Sequence, residues 1–142
     1  MKSFLVLGFA LALALAASSA GADDTRLAGE LAARLSCAPA AGPGRVFCQV
    51  DLGAREGRVV WGDALVTTAP GSMRPLRARV AARPDSNGAP GLVAKLALVA
   101  TEPGQGSLQV LARAVVCQSH AEGELCIPLT ARLDASLVVG AP

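Results

Sequence analysis

The chain contains no tyrosine, one histidine and one tryptophan, and aromatic residues make up only 3% of its 142 positions. Past the first twenty-odd residues the only aromatics are Phe47 and Trp61. That excludes a platform of rings on which nucleic-acid bases could stack. Charge of one sign is missing too. Without Lys2, which lies in an N-terminal targeting segment, 12 basic side chains face 11 acidic ones, for a net charge of +1. Such a balance sets up no field to draw a nucleic acid or a membrane surface. Beyond the first segment no apolar run approaches the ~20 residues a membrane span needs, so no membrane insertion is expected once that segment is removed. Ser119 and His120 are adjacent, there is no second histidine and no nucleophile elbow, and hydrolase chemistry has no foothold. Isoleucine appears once, and arginine outnumbers lysine 11 to 2. This usage suggests a GC-rich genome and hence a bacterial source.

The first residues read as an export signal. Lys2 supplies a short positive region, residues 4–17 are apolar but too few to span a bilayer comfortably, and Ala20-Gly21-Ala22 places small residues at a cleavage site before Asp23-Asp24. The expected organisation is a signal peptide over 1–22 and one exported domain over 23–142. The expected location is the periplasm or the medium.

Four cysteines fall into two short-range pairs, Cys37 with Cys48 and Cys117 with Cys126. An even count in an exported chain reads as a disulfide framework. Zinc is disfavoured, because structural sites use cysteines two to four residues apart and these gaps hold ten and eight residues. Neither a metal nor a cofactor is expected.

From residue 31 onward apolar side chains alternate, and glycine and proline clusters interrupt them every ten to fifteen residues. Expected strands cover 31–38, 45–52, 58–61 continuing into 64–68, 76–82, 92–100, 107–117 and 125–139. The last is expected to bend or bulge near Pro128. About seven short strands with regular turns predict an all-β, immunoglobulin-like sandwich. Residues 25–30 are ambiguous: Leu27, Leu31 and Leu35 fit a helix after the possible cap Asp24, and the segment is read as coil or a short helical turn.

In an antiparallel hairpin, opposed residues have a constant sum of positions, so each cysteine pair can be tested for register. Cys37 opposite Cys48 sets Leu35 against Val50 and Ala33 against Leu52 on one face, and Arg34 against Asp51 on the other. A slip of one residue would scramble both faces. Such a bond closes a loop of about twelve residues and stabilises by roughly 3 kcal/mol in the chain-entropy account. Cys117 opposite Cys126 sets Val116 against Ile127, Ala114 against Leu129, Ala112 against Ala131 and Val110 against Leu133, an entirely apolar face. Parity then puts the Cys117–Cys126 bond on the outer, mixed face near the hairpin tip, where partner thiols reach it more easily than a core disulfide.

The segment 112–139, with Cys117-Gln-Ser-His-Ala-Glu-Gly-Glu-Leu-Cys126-Ile-Pro128, resembles the end of the N-terminal domain of the bacterial thiol:disulfide interchange protein DsbD family. There an apolar strand ends in a cysteine, a short polar loop follows, and a second cysteine precedes a proline and the last strand. The resemblance implies an immunoglobulin-like fold and, for Cys117 and Cys126, electron exchange with a thioredoxin-like partner. This loop holds eight residues where the family usually has five, and Ile127, Pro128 and Leu129 stand where an aromatic and two prolines commonly follow.

Two readings of Cys117 and Cys126 therefore stand side by side, a structural disulfide and a reversible dithiol. The second needs a cation to favour the thiolate, and His120 in the same loop is a candidate, with Arg113 and Arg132 on the outer face. Asp63 is read as a turn or bulge carboxylate. Arg74, Arg77, Arg79 and Arg83 read as the solvated face of an edge strand, with an anionic partner as the rival reading. Trp61 is expected to anchor a core otherwise made of Ala, Val and Leu. No catalytic constellation emerges. The leading expectation is a non-catalytic module that binds or supports another exported protein, and the rival is a thiol–disulfide carrier.

Overall fold

A computed structural model describes the backbone of residues 24–28 and 31–141, with side chains from 31 to 141; the expected signal segment lies outside these residues. The described chain is all-β. Its strands are β1 (Asp24–Ala28), β2 (Leu31–Cys37), β3 (Gly44–Ala54), β4 (Arg58–Thr68), β5 (Met73–Pro75), β6 (Arg79–Ala81), β7 (Arg83–Pro84), β8 (Leu92–Ala100), β9 (Gly104–His120) and β10 (Gly123–Val139). They form two antiparallel sheets. The first runs β1-β2-β3-β8-β5, with β7 also on β8, and the second runs β10-β9-β4-β6. The two sheets pack face to face as an immunoglobulin-like sandwich.

Alternation decides which residues meet between the layers. Leu35, Val46, Val50, Leu96 and Leu98 point inward from the first sheet, and Leu108, Val110, Val116, Leu133 and Leu137 from the second; all are fully buried. Each such side chain contributes about 1.5–3 kcal/mol on leaving water. The core holds no aromatic ring among the described residues.

Both disulfides form as the registers require, and each lies within one hairpin. Cys37 bonds Cys48 and Cys117 bonds Cys126, with Cα atoms 4.0 Å apart in both. Leu35 faces Val50, Arg34 faces Asp51, Val116 faces Ile127 and Leu133 faces Val110. The first bond belongs to the core, where Cys48 is buried and Cys37 packs against the same cluster.

Several expectations are corrected. Residues 24–28 form neither coil nor helix: β1 pairs with β2 from Asp24 against Leu35 to Ala28 against Leu31. Pairing there satisfies backbone groups that the edge of β2 would otherwise leave open. Of the strand expected over 76–82 only β6, Arg79–Ala81, forms, and residues 76–78 instead carry the chain from the first sheet to the second. β5 lies on β8, and the chain then crosses over, so that Leu76 N–H donates to Ala97 O (2.9 Å) while Ala78 O accepts from Val66 N–H (2.7 Å). Alternation of Leu76, Ala78 and Val80 marks strand character but does not say which layer each residue joins.

No bulge occurs at Pro128. The β9–β10 register is unbroken from Gly123 against His120 to Val139 against Gly104, with Pro128 opposite Val115. The short Cα separation at Cys117–Cys126 marks a non-hydrogen-bonded pair, and Pro128, two residues on, shares that phase. Its missing N–H therefore faces away from β9, on the outer side of an edge strand, and costs no ladder bond.

The irregularities lie in β4 instead. Val59 faces Val116 and Trp61 faces Val115, with Val60 bulged between them, and a second shift separates Val66 from Thr68. Because Val116 points inward and Val115 outward, the extra residue turns Trp61 out of the core. The expected core anchor is 43% exposed, on the outer face of the second sheet. At the next position Gly62 points inward, and a Cβ there would lie 2.5 Å from Leu52 Cδ1 of the opposite sheet. Glycine lets the two layers approach at that point.

Candidate functional site on the outer face of the second sheet

The bulge at Val60 assembles a cluster that simple alternation would have dispersed. Once Trp61 points outward, Asp63 does too, opposite Arg113 of β9 on one side and Ala81 of β6 on the other. Although it points away from the core, Asp63 is fully buried, the only buried charged residue among those described. Two guanidinium groups cover it. Arg113 donates Nε to Oδ1 (2.8 Å) and Nη2 to Oδ2 (2.5 Å), and Arg79 donates Nε to Oδ2 (2.5 Å). The fork of Arg113 matches the carboxylate geometry in the way that makes such pairs strong. The hydrogen bond from Arg113 holds the Asp63 carboxyl below the usual carboxylate range. Burial pulls the other way, and Arg79 adds to the lowering. The same contact raises Arg113.

Arg113 has a second role. Its Cζ lies 5.9 Å from the centroid of the Trp61 ring, within cation–π range. The stack thus runs from a buried carboxylate through a fixed guanidinium to an exposed indole. Trp61, Val115 and Pro128 form one row across β4, β9 and β10. The next row holds Arg58, Cys117 and Cys126.

That row carries the second disulfide. Its two residues differ: Cys117 is 3% exposed, whereas Cys126 is open to solvent. The bond lies on the outer face, as parity required. Glu124 Oε1 sits 3.8 Å from Cys126 Sγ, and Arg58 Nη2 donates to both Glu124 oxygens at 3.1 and 2.9 Å. Cys117, Glu124 and Cys126 form the one group of metal-type donors among the described residues, within 4.8 Å of one another. In the disulfide state neither sulfur is the thiolate that a metal binds. A carboxylate beside Cys126 works against thiolate formation, while Arg58 partly offsets it.

The other residues singled out from sequence are scattered. His120 ends β9 at the hairpin tip, exposed and paired with Gly123; by alternation its ring leaves the ribbon on the face opposite the cystine. Arg132 faces Leu111 two rows away from Trp61. Of the expected arginine stripe only Arg79 joins the site; Arg74 and Arg83 belong to strands of the first sheet, and Arg77 lies in the crossover between the sheets. Asp63, read as a turn or bulge carboxylate, lies within β4 three residues after the bulge at Val60 and forms the buried centre of the cluster. A carboxylate between Gly62 and Ala64 in an alternating stretch was the available signal, but its partner depends on a bulge that no pattern announces.

Family models, curated proteins and solved structures were each compared with the chain, and none matches it.

Proposed function

We propose that this protein is an exported, non-catalytic accessory module that binds another exported protein through the outer face of its second sheet, with Trp61 as the anchor. The observation that carries this reading is the stack Asp63–Arg113–Trp61. A fully buried carboxylate is bound by two guanidinium groups, and one of them, that of Arg113, in turn lies over an exposed indole. Tryptophan and arginine are the residue types that dominate binding energy at interfaces, and a side chain already held in place loses less entropy on binding. Export is supported by the charged-apolar-small pattern of the N-terminus and by two disulfides, which persist in oxidising compartments. Among the described residues no helix is long and apolar enough to cross a membrane. The test is photocrosslinking in intact cells from a probe at Thr130, the β10 residue opposite Arg113. A discrete adduct that disappears on Trp61→Ala, and that a probe at Glu102 does not give, supports the reading. Identical patterns from both probes refute it.

The exposure of Cys126 on the outer face favours a second reading, a periplasmic thiol–disulfide carrier acting with a thioredoxin-like partner. A partner thiolate would attack Cys126 Sγ, the S–S bond would break, and the electron pair would leave on Cys117. A Cys117→Ser variant would hold the mixed disulfide. A reduction potential near about −200 mV supports the carrier, and one below about −300 mV marks a structural bond.

A further inference from the structure

The cations of the second sheet's outer face near Trp61 are paired, Arg79 and Arg113 with Asp63 and Arg58 with Glu124. The outer face of the first sheet is different. Phe47 of β3 is 57% exposed and Leu76, just beyond β5, is 55% exposed. They stand on either side of Ala97 of β8: Phe47 faces Ala97 in the ladder, and Leu76 N–H bonds to Ala97 O. Two strand spacings separate the large side chains, about 9–10 Å, and only a methyl group lies between them. The result is a notch wide enough for one apolar side chain.

Cations flank the notch on both sides. Arg45 and Arg74 both face Val99, one row away along the strands, and Lys95 lies one row away in the other direction. Each is exposed, and none has an ion-pair partner among the described residues. Two acids border this face on the Lys95 side: Asp51 accepts a hydrogen bond from its neighbour Gln49 (2.7 Å), and Asp85 follows β7 beside Val93 and Lys95, so the Arg45–Arg74 side is the more positive. Rows two residues apart along a strand are about 6.7 Å from each other, so the cations lie within a Debye length of the notch.

We infer that this face binds an acidic peptide segment of a partner protein, one apolar side chain entering between Phe47 and Leu76 while flanking carboxylates meet Arg45, Arg74 and Lys95. Charge complementarity selects the occupant. A lipid surface fits less well: Phe47 stands within β3, inside the sheet between β2 and β8, whereas groups that enter a bilayer project from a tip or a helix face. This inference does not depend on the reading of Trp61, which concerns the opposite layer.

The experiment uses the oxidised protein and a fluorescein-labelled peptide of sequence Gly-Glu-Asp-Leu-Asp-Glu-Gly. Anisotropy measures binding at low salt, and amide chemical shifts locate it. Saturable binding is expected, with shifts centred on Phe47, Leu76 and Ala97. Phe47→Ser should weaken it about tenfold, as loss of an anchor residue does. Arg45→Glu with Arg74→Glu should weaken it at least as much, and peptides with lysine for the acids or serine for the leucine should bind worse by a similar factor. All three substituted residues are exposed, so the variants should fold, and intact disulfides with a retained amide spectrum verify this. The inference is overturned if the peptide does not saturate, if its shifts cluster on another face, or if these variants leave its affinity unchanged. It is equally overturned if phosphatidylglycerol vesicles, and not the peptide, bind the protein and Phe47→Ser abolishes that binding.

Discussion

Arg113 grips Asp63 with two hydrogen bonds, at 2.8 and 2.5 Å, and holds a carboxylate that has almost no contact with water. An isolated charge could not stay buried there, so the pair and its second arginine act as a unit. Replacing Asp63 by Ala should lower stability by about 2 kcal/mol. That is less than the roughly 3–5 kcal/mol lost on breaking a fully buried pair, because both guanidinium groups keep contact with solvent. Denaturant unfolding of the wild type and the variant measures it.

The same pair predicts an acid limb in the stability curve. The carboxyl is held below its ordinary value of 3.8, so its stabilisation is complete at pH above that value. As pH falls further, the unfolded chain takes up a proton that the folded chain refuses, and the contribution fades until the folded carboxyl also protonates. Asp63→Asn should remove this part of the pH dependence while leaving stability near neutrality lower and flatter. A variant with the same acid slope as the wild type would contradict the assignment.

The two disulfides should open in order. Cys126 is exposed at the hairpin tip, whereas Cys48 lies in the core with Cys37 packed against it. Limiting reductant followed by alkylation and peptide mass mapping should label Cys117 and Cys126 first. Glu124→Gln removes the carboxylate beside Cys126 and so the repulsion of an incoming thiolate; its reduction by a small thiol should be several-fold faster. Equal labelling of all four cysteines would refute the order.

Gly62 faces Leu52 of the opposite sheet with no room for a side chain. Gly62→Ala places a methyl group 2.5 Å from Leu52 Cδ1, and Leu52 is itself fully packed. Overpacking of this kind costs about 1–3 kcal/mol. Leu52→Val should recover part of that loss in the double variant, giving a positive coupling in a mutant cycle.

Much of the frame was legible because hairpin geometry is rigid. Fixing one cysteine pair fixes a whole register, and Leu35 against Val50 or Ala112 against Ala131 then follows without adjustment. What sequence missed depends on single residues that break periodicity. The bulged Val60 has no signature, since valine suits a regular strand equally well, yet it reverses the direction of Trp61 and Asp63. The crossover at Leu76–Ala78 is similar: alternation survives while the chain changes sheets. Pro128 erred the other way. A proline suggests a bulge, but on an edge strand at a non-hydrogen-bonded site it fits a regular ladder.

The sole tryptophan stands on the surface, stacked on Arg113, and does not fill the core. Its intrinsic fluorescence tests this without interference from any other tryptophan or tyrosine. The folded, oxidised protein should emit toward the red of a buried indole and be readily quenched by acrylamide, and Trp61→Ala should change stability by less than about 1 kcal/mol, against roughly 3–5 kcal/mol for a core tryptophan. Blue-shifted emission that acrylamide cannot reach, with a stability loss of the larger size, would contradict the account.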